Sequence, residues 1–391
     1  MSEHPQCRRI RAACERVYGS PDLVVRGPGR INLIGEHTDA ALGLVMPAAI
    51  DKGVWLALRA RDDAQCRFHA ADRDESFETA VATGDGAAPG WSRYLLGVYA
   101  EMSLDGRAPR GVDCVFGGDL PIGSGLSSSA ALTCGLAFGL NELFALGYDR
   151  LSLAQLGQRV EHRHAGVLCG LMDQFASLLG RSGHVIRLDC RDLSHEYILC
   201  AEAGLAIVLC DSHVRRSLAA DGAYNQRRAQ CGEGLALLRS RHPDVWSLRD
   251  ATAEMLEAAR SVMNPTVFAR CDYVLRENAR VVDARAALES GDLERLGRLM
   301  NESHRGLQLG FEVSSSELDI LTDAARRVPG VLGSRMMGAG FGGCTITLVR
   351  EEALPRFEDD MTTVYRETLR AEPVLHRCRL TDGTEIVHRR A

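Results

Sequence analysis

The sequence predicts an α+β or α/β protein built of two layered domains. β-branched runs and apolar residues at helical spacing both recur in each half of the chain, which argues for mixed layers and against a helix bundle. The length of 391 residues fits two domains of roughly 100–200 residues each. A hydrophobic content of 46% beside 25% charged residues is that of a soluble chain with a real core.

The elements follow in order. Residues 3–18 read as an amphipathic helix, with Ile10, Ala13, Cys14 and Val17 at helical spacing. Leu23–Val25 is a short strand, and Val54–Arg59 and Gln65–His69 have strand character. Val112–Phe116 is a strand that ends at the glycine-rich segment Gly117–Gly125. Leu132, Leu136, Leu140 and Leu143 give Ser129–Leu146 a helical period. Leu153–Ala165 and Met172–Leu179 read as further helices, and His184–Leu188 and Leu205–Cys210 as strands. Residues from Tyr224 to Met300 are mostly helical. Val331–Met336 and Cys344–Val349 pair as strands around a glycine loop. A domain boundary near residues 190–200 is only weakly marked.

Composition excludes several classes of function. A net charge of −6 argues against nucleic acid or an anionic membrane as the main partner. Lys52 is the only lysine and no Gly-Lys-Ser/Thr occurs, so a phosphate site must rest on backbone amides, hydroxyls and arginine. The 13 cysteines include no C-x-x-C, which disfavours structural zinc or a redox dithiol and suits a reducing cytoplasm. The N-terminus has no apolar stretch typical of a signal peptide, and no run of about 18 apolar residues is present to span a bilayer.

Gly29–Asp39, Gly-Arg-Ile-Asn-Leu-Ile-Gly-Glu-His-Thr-Asp, is the most informative stretch. Arg30, Glu36, His37 and Asp39 alternate with apolar Ile31, Leu33 and Ile34. This suits a short buried strand running into a loop that aims donors and acceptors at a polar ligand with several hydroxyls. A second constellation is Asp119–Leu132, in which Gly123-Ser124-Gly125-Leu126 leads into Ser127-Ser128-Ser129 and a helix. The unpaired amides of a first helical turn make an anion site. Ser127 alone would explain an N-cap, but a cap needs one serine, not three.

Three further segments are less specific. Glu161-His162-Arg163-His164 lies on a helix, where two histidines two apart point to different sides and do not share a metal. From spacing alone, Glu161 reads as a solvated surface carboxylate. Asp173, among Leu171, Met172 and Phe175, suits either a helix cap or a partly buried general base. Gly338–Gly343 matches G-x-G-x-x-G, but a strand follows it, so a glycine loop packed against another backbone or a phosphate is the better account.

Together these segments resemble the three motifs of the GHMP superfamily of small-molecule kinases. Within it, Gly29–Asp39, Cys169–Phe175, Asp211–Arg228 and Arg335–Thr345 are similar to the galactokinases. The resemblance implies a two-domain α+β GHMP kinase fold, with a ribosomal-protein-S5-domain-2-like domain over residues 1–195 and a ferredoxin-like domain over 196–391. It implies a cytoplasmic enzyme that transfers the γ-phosphoryl of MgATP to the anomeric hydroxyl of galactose, with a monomer as the default expectation. By position, Asp173 matches the family's base and Arg30 the cation beside it. Glu36, His37, Asp39, Gly170 and Tyr224 match sugar-holding positions. Gly123, Ser124, Gly125, Leu126, Ser127 and Ser128 match the loop around the ATP phosphates, and Ser129 and Glu161 match the Mg2+ ligands. The chain departs from the family in having Ala40-Ala41 where Tyr-Asn is usual. That leaves a C2-modified sugar such as N-acetylgalactosamine as an alternative substrate. A sugar sensor without turnover is a second alternative.

Overall fold

A computed structural model describes residues 3–80, 90–120, 125–200, 204–215 and 222–390. Its first part contains α1 (Pro5–Val17), β1 (Leu23–Asn32), β2 (Leu44–Val45), β3 (Pro47–Ala60), β4 (Gln65–Ala70), β5 (Glu75–Ala80), α2 (Ser92–Leu104) and β6 (Val112–Gly118). There follow α3 (Ser128–Phe144), α4 (Arg150–Val160), α5 (Met172–Leu179), β7 (His184–Asp189), β8 (His195–Leu199) and β9 (Leu205–Asp211). Four helices come next: α6 (Ala223–Arg241), α7 (Ala253–Ala259), α8 (Pro265–Glu289) and α9 (Leu293–Arg305). The chain closes with α10 (Ser316–Arg327), β10 (Val331–Met336), β11 (Cys344–Arg350), α11 (Leu354–Val364), β12 (Leu375–Cys378) and β13 (Glu385–Arg389).

The strands form three sheets, in the orders β13-β1-β3-β6-β4-β5, β10-β11-β9-β12 and β2-β7-β8. All pairs are antiparallel except β4 with β6. Helices packed on largely antiparallel sheets make this α+β. The last strand, β13, returns to pair with β1, so the end of the chain closes one edge of the first sheet.

Every residue of β1 is buried, because both faces of its sheet are covered. Leu23 and Val25 enter the main core, while Val24 joins Ile10, Cys14 and Trp55 beneath α1. Helix α3 lies so close to β1 that a Cβ on Gly27 would stand 2.2 Å from Ala131 O. Only glycine allows this approach, and it brings the start of α3 against Arg30. The second sheet packs Val208 and Val349 on Leu321, Ala325, Phe357 and Met361 of α10 and α11. Helix α8 begins with Asn264 accepting from Thr266 N and with Pro265 at its first position.

The structure adds to and corrects the elements expected from sequence. β1 runs on from Val25 through Gly27-Pro28-Gly29 to Asn32, so the short buried strand expected at the start of Gly29–Asp39 is the end of this same strand. The strands β5 and β8 and the helix α2 carry no clear sequence signal. β5 is a largely exposed edge, and α2 starts at Trp91 without a side-chain cap. The helix expected through Ala165 ends at Val160, and Glu161–Ala165 form a wider π-helical turn. Among the described residues, no helix is long and apolar enough to cross a membrane.

Candidate active site

A cleft of about 820 Å³ is lined by β1, the start of α3, α5, the 36–39 loop, Tyr224 and the loop after β10. At its centre Arg30, which is 4% exposed, donates from Nε to Asp173 Oδ1 at 2.7 Å and from Nη1 to Gly125 O at 2.5 Å. Burial works against the guanidinium charge, and the fields of Asp173 and Glu36 more than offset it, raising its pKa. The Ser127 hydroxyl donates to Asp173 Oδ2. Asp173 therefore caps nothing: the cap position of α5 is Leu171, which makes no side-chain bond. Ser127 does stand at the start of α3, but in the left-handed region at φ 57° and without a cap bond. A non-glycine residue held there is uncommon and typical of functional sites.

One end of the cleft is built from the 35–43 loop, which the second half of the chain holds in place. Gly35 N donates to Glu277 Oε1 at 2.9 Å, Tyr273 OH to Glu36 O at 3.0 Å, and Leu44 N to Asn278 Oδ1 at 2.8 Å. Glu36, 1% exposed, accepts at Oε1 from Gly338 N at 2.8 Å and Arg335 Nη2 at 3.2 Å. The His37 ring packs on Phe311 and Tyr224. Burial pushes its pKa down to about 4, so the ring is neutral near pH 7. Its Nε2–H donates to Ala339 O at 3.2 Å, which leaves Nδ1 as an acceptor. Burial, then the field of Asp173, pushes the Asp39 carboxyl up to about 7. Gly170 is buried directly behind Asp39 and outside the cleft lining, while Tyr224 is 8% exposed and lines it. Ala40 and Ala41 do not line the cleft. Ala41 packs against the apolar cluster of α6 to α8, and the turn is set by backbone bonds from Ala41 and Gly43 to Thr38 O.

Further along the cleft lie Gly125, Leu126, Ser127, Ser128 and Ser129. Gly123 and Ser124 fall outside the described residues. Glu161, read from spacing as a surface carboxylate, is only 5% exposed and shares a hydrogen bond with Ser129. The π-helical turn points it inward, a placement that helical spacing does not encode. Burial pushes its carboxyl up to about 7. A desolvated carboxylate with a hydroxyl for a neighbour suits a divalent cation, and Mg2+ characteristically takes one or two protein ligands plus phosphate oxygens. His162 and His164 diverge as expected, toward Cys169 O and Glu101.

The far end of the cleft carries a cluster of apolar side chains beside Asp72, Arg73 and Glu75. Val54, Trp91, Phe116, Leu120 and Leu132 line it, with the Trp91 indole donating to Glu75 at 2.7 Å and set edge-on to Phe116. Trp91 follows a Gly/Ala-rich stretch and was the one available hint. Glu277, Asn278 and Tyr273, which hold the 35–44 segment, give no such hint, because their partners lie more than 230 residues away. The glycine loop packs on backbone as expected. A Cβ on Gly340, at φ +83°, would stand 2.1 Å from Val313 O.

Comparison with known proteins gives a consistent answer. The chain matches the galactokinase galactose-binding signature over residues 14–60, the GHMP kinases N terminal domain over 93–181 and the GHMP kinases C terminal domain over 284–367. A galactokinase from Roseiflexus sp. (strain RS-1) is 39% identical over 378 residues, covering 96% of this chain and 95% of the relative. One from Chloroflexus aggregans is 41% identical over 362 residues and covers 91% of each chain. The crystal structure of Lactococcus lactis galactokinase complexed with galactose superposes with a TM-score of 0.92 at 33% identity, over 97% of this chain and 99% of that one. Methanococcus jannaschii mevalonate kinase, at 16% identity and a TM-score of 0.66, shares the fold.

Proposed function

The chain belongs to the galactokinase family of GHMP kinases, ATP-dependent sugar kinases, and from that premise we propose that it phosphorylates galactose on its anomeric hydroxyl. The observation that carries this reading is the doubly held Asp173, fixed by Arg30 from one side and by Ser127 from the other, where the two ends of the cleft meet.

The polar end takes the sugar. Asp39 and the free oxygen of Glu36 accept from its hydroxyls, as does His37 Nδ1, and Tyr224 closes the wall. The apolar end at Trp91 and Phe116 takes the adenine of ATP, and the backbone of residues 125–129 faces the phosphates at the start of α3. In the reaction the anomeric oxygen bonds to the γ-phosphorus as the bond from that phosphorus to the β–γ bridging oxygen breaks. ADP leaves, and the hydroxyl proton passes to Asp173. Arg30 holds that carboxylate in place through its Nε bond and steadies the developing alkoxide. Ser129 and Glu161 would hold Mg2+. When bound, the ion supplies charge neutralisation at the phosphate oxygens.

The division into domains over residues 1–195 and 196–391 belongs to the same proposal, as do a cytoplasmic location and a monomeric state. An ADP-release assay with galactose, glucose and N-acetylgalactosamine tests the substrate. Galactose should give the highest kcat/KM. A higher value for N-acetylgalactosamine, or the absence of turnover with any of the three, overturns the proposal.

A further inference from the structure

The Glu161-His162-Arg163-His164 turn has a partner on its outer side that the active site does not use. Glu101 of α2 is fully buried, yet three donors converge on its carboxylate, one from the last turn of α4 and two from the π-helical turn that follows. They are Arg159 Nε at 2.8 Å, Arg163 Nη1 at 3.0 Å and His164 Nε2 at 3.2 Å. Burial opposes the charge on Glu101, but the bonds from Arg159 and His164 and the field of Arg163 hold its pKa below the ordinary range. The three donors bracket Glu161 at two residues before it and at two and three after it, where α4 opens into the π-helical turn. Helix α2 rests directly on this turn, since a Cβ on Gly97 would stand 2.7 Å from Val160 Cγ1 and 3.0 Å from His164 Cγ. A widened turn is less well determined by its own hydrogen bonds than an α-helix and recurs at functional sites. Here Glu101 supplies it with an external anchor.

We propose that Glu101 is a positioning residue for Glu161, fixing the π-helical turn from its outer side so that the Glu161 carboxylate faces Ser129 and the metal held there. The proposal rests on the reading of Glu161 as a metal ligand. It separates metal from sugar, because Cys169 O, next to the Gly170 that backs Asp39, is held by Gln158 at 3.2 Å as well as by His162 at 2.7 Å. Loosening the Glu101 anchor should therefore leave the sugar end in place.

The test measures Mn2+ binding to the full chain in the presence of a non-hydrolysable ATP analogue, read from loss of the free-ion paramagnetic signal. Galactose binding without nucleotide is measured separately by calorimetry. Glu101→Gln preserves shape and removes charge, and should weaken Mn2+ binding about tenfold, in the range for outer partners of metal ligands, with galactose affinity unchanged. Arg163→Met, whose side chain is 57% exposed and tolerates replacement, should act in the same direction with smaller amplitude. It decides the question if Glu101→Gln does not fold. Glu161→Gln is the reference. If it leaves Mn2+ binding intact, the metal-ligand reading of Glu161 fails. If it weakens Mn2+ binding while Glu101→Gln and Arg163→Met do not, the positioning role alone is overturned. Equal loss of Mn2+ and galactose binding in Glu101→Gln also overturns it, as the sign of a general structural role.

Discussion

Gly170 stands so close behind Asp39 that a Cβ built on it would lie 2.2 Å from Asp39 Oδ2. The carboxylate proposed to meet the sugar is thus seated against bare backbone just before α5, and any side chain at 170 must push it toward the cleft. Gly170→Ala should lower kcat/KM for galactose by about 10²-fold, the cost of displacing a positioning group by roughly 1 Å. The KM for ATP should stay near that of the unmodified protein. An equal loss toward both substrates would show that the substitution damages the fold instead.

Asp39 gives the sugar end a pH dependence. Burial and the neighbouring Asp173 raise its carboxyl to about 7, so it is ionised above that pH and carries a proton below it. In the proposed role, the carboxylate accepts from sugar hydroxyls in its charged form. Galactose affinity should therefore weaken as pH falls through 7, by about tenfold per pH unit once the proton is on. His37, at about 4, stays neutral across this window and does not contribute. Calorimetric titration with galactose at pH 6 and pH 8 checks this, and Asp39→Asn should flatten the difference.

Ser129 separates the two substrates from the other direction. Ser129→Ala should raise the KM for MgATP by about tenfold while leaving galactose affinity unaltered, because its hydroxyl neighbours Glu161 and not the sugar end. Steady-state kinetics with each substrate varied in turn would show this. Equal effects on both KM values would point to a role in starting α3.

The alanines that depart from the family pattern do not enter the cleft lining. Ala41 packs on the apolar cluster of the helical region, and backbone bonds to Thr38 O set the turn. Ala40→Tyr/Ala41→Asn should consequently leave the ratio of kcat/KM for galactose to that for N-acetylgalactosamine unchanged. A shift in that ratio would mean that these positions reach the sugar after all.

Elements with a strong internal pattern were legible in the sequence. Met172–Leu179 and Val331–Met336 occur with the bounds that their periodicity gives. Edge strand β5, with no buried face to impose alternation, was not legible, nor was the continuity of β1 from Val25 into the short buried strand expected after Gly29, because the glycines between serve close packing with α3. The polar residues of 30–39 announced a ligand loop through their type. Spacing alone placed Glu161 on the surface because its burial depends on a local widening of the helix that spacing does not record. The bond from Ser127 to Asp173 was beyond reach for a different reason, since it joins two elements 46 residues apart whose meeting only the fold determines.

In the proposed reaction Asp173, held by Arg30 and Ser127, accepts the proton of the anomeric hydroxyl. Asp173→Asn keeps the shape and removes the base, so the most direct measurement is single-turnover phosphorylation of galactose by this variant, with galactose binding measured alongside. The account predicts a rate lowered by about 10²–10⁴-fold with galactose still bound. Retention of more than about a third of the unmodified rate, well outside that range, would contradict it.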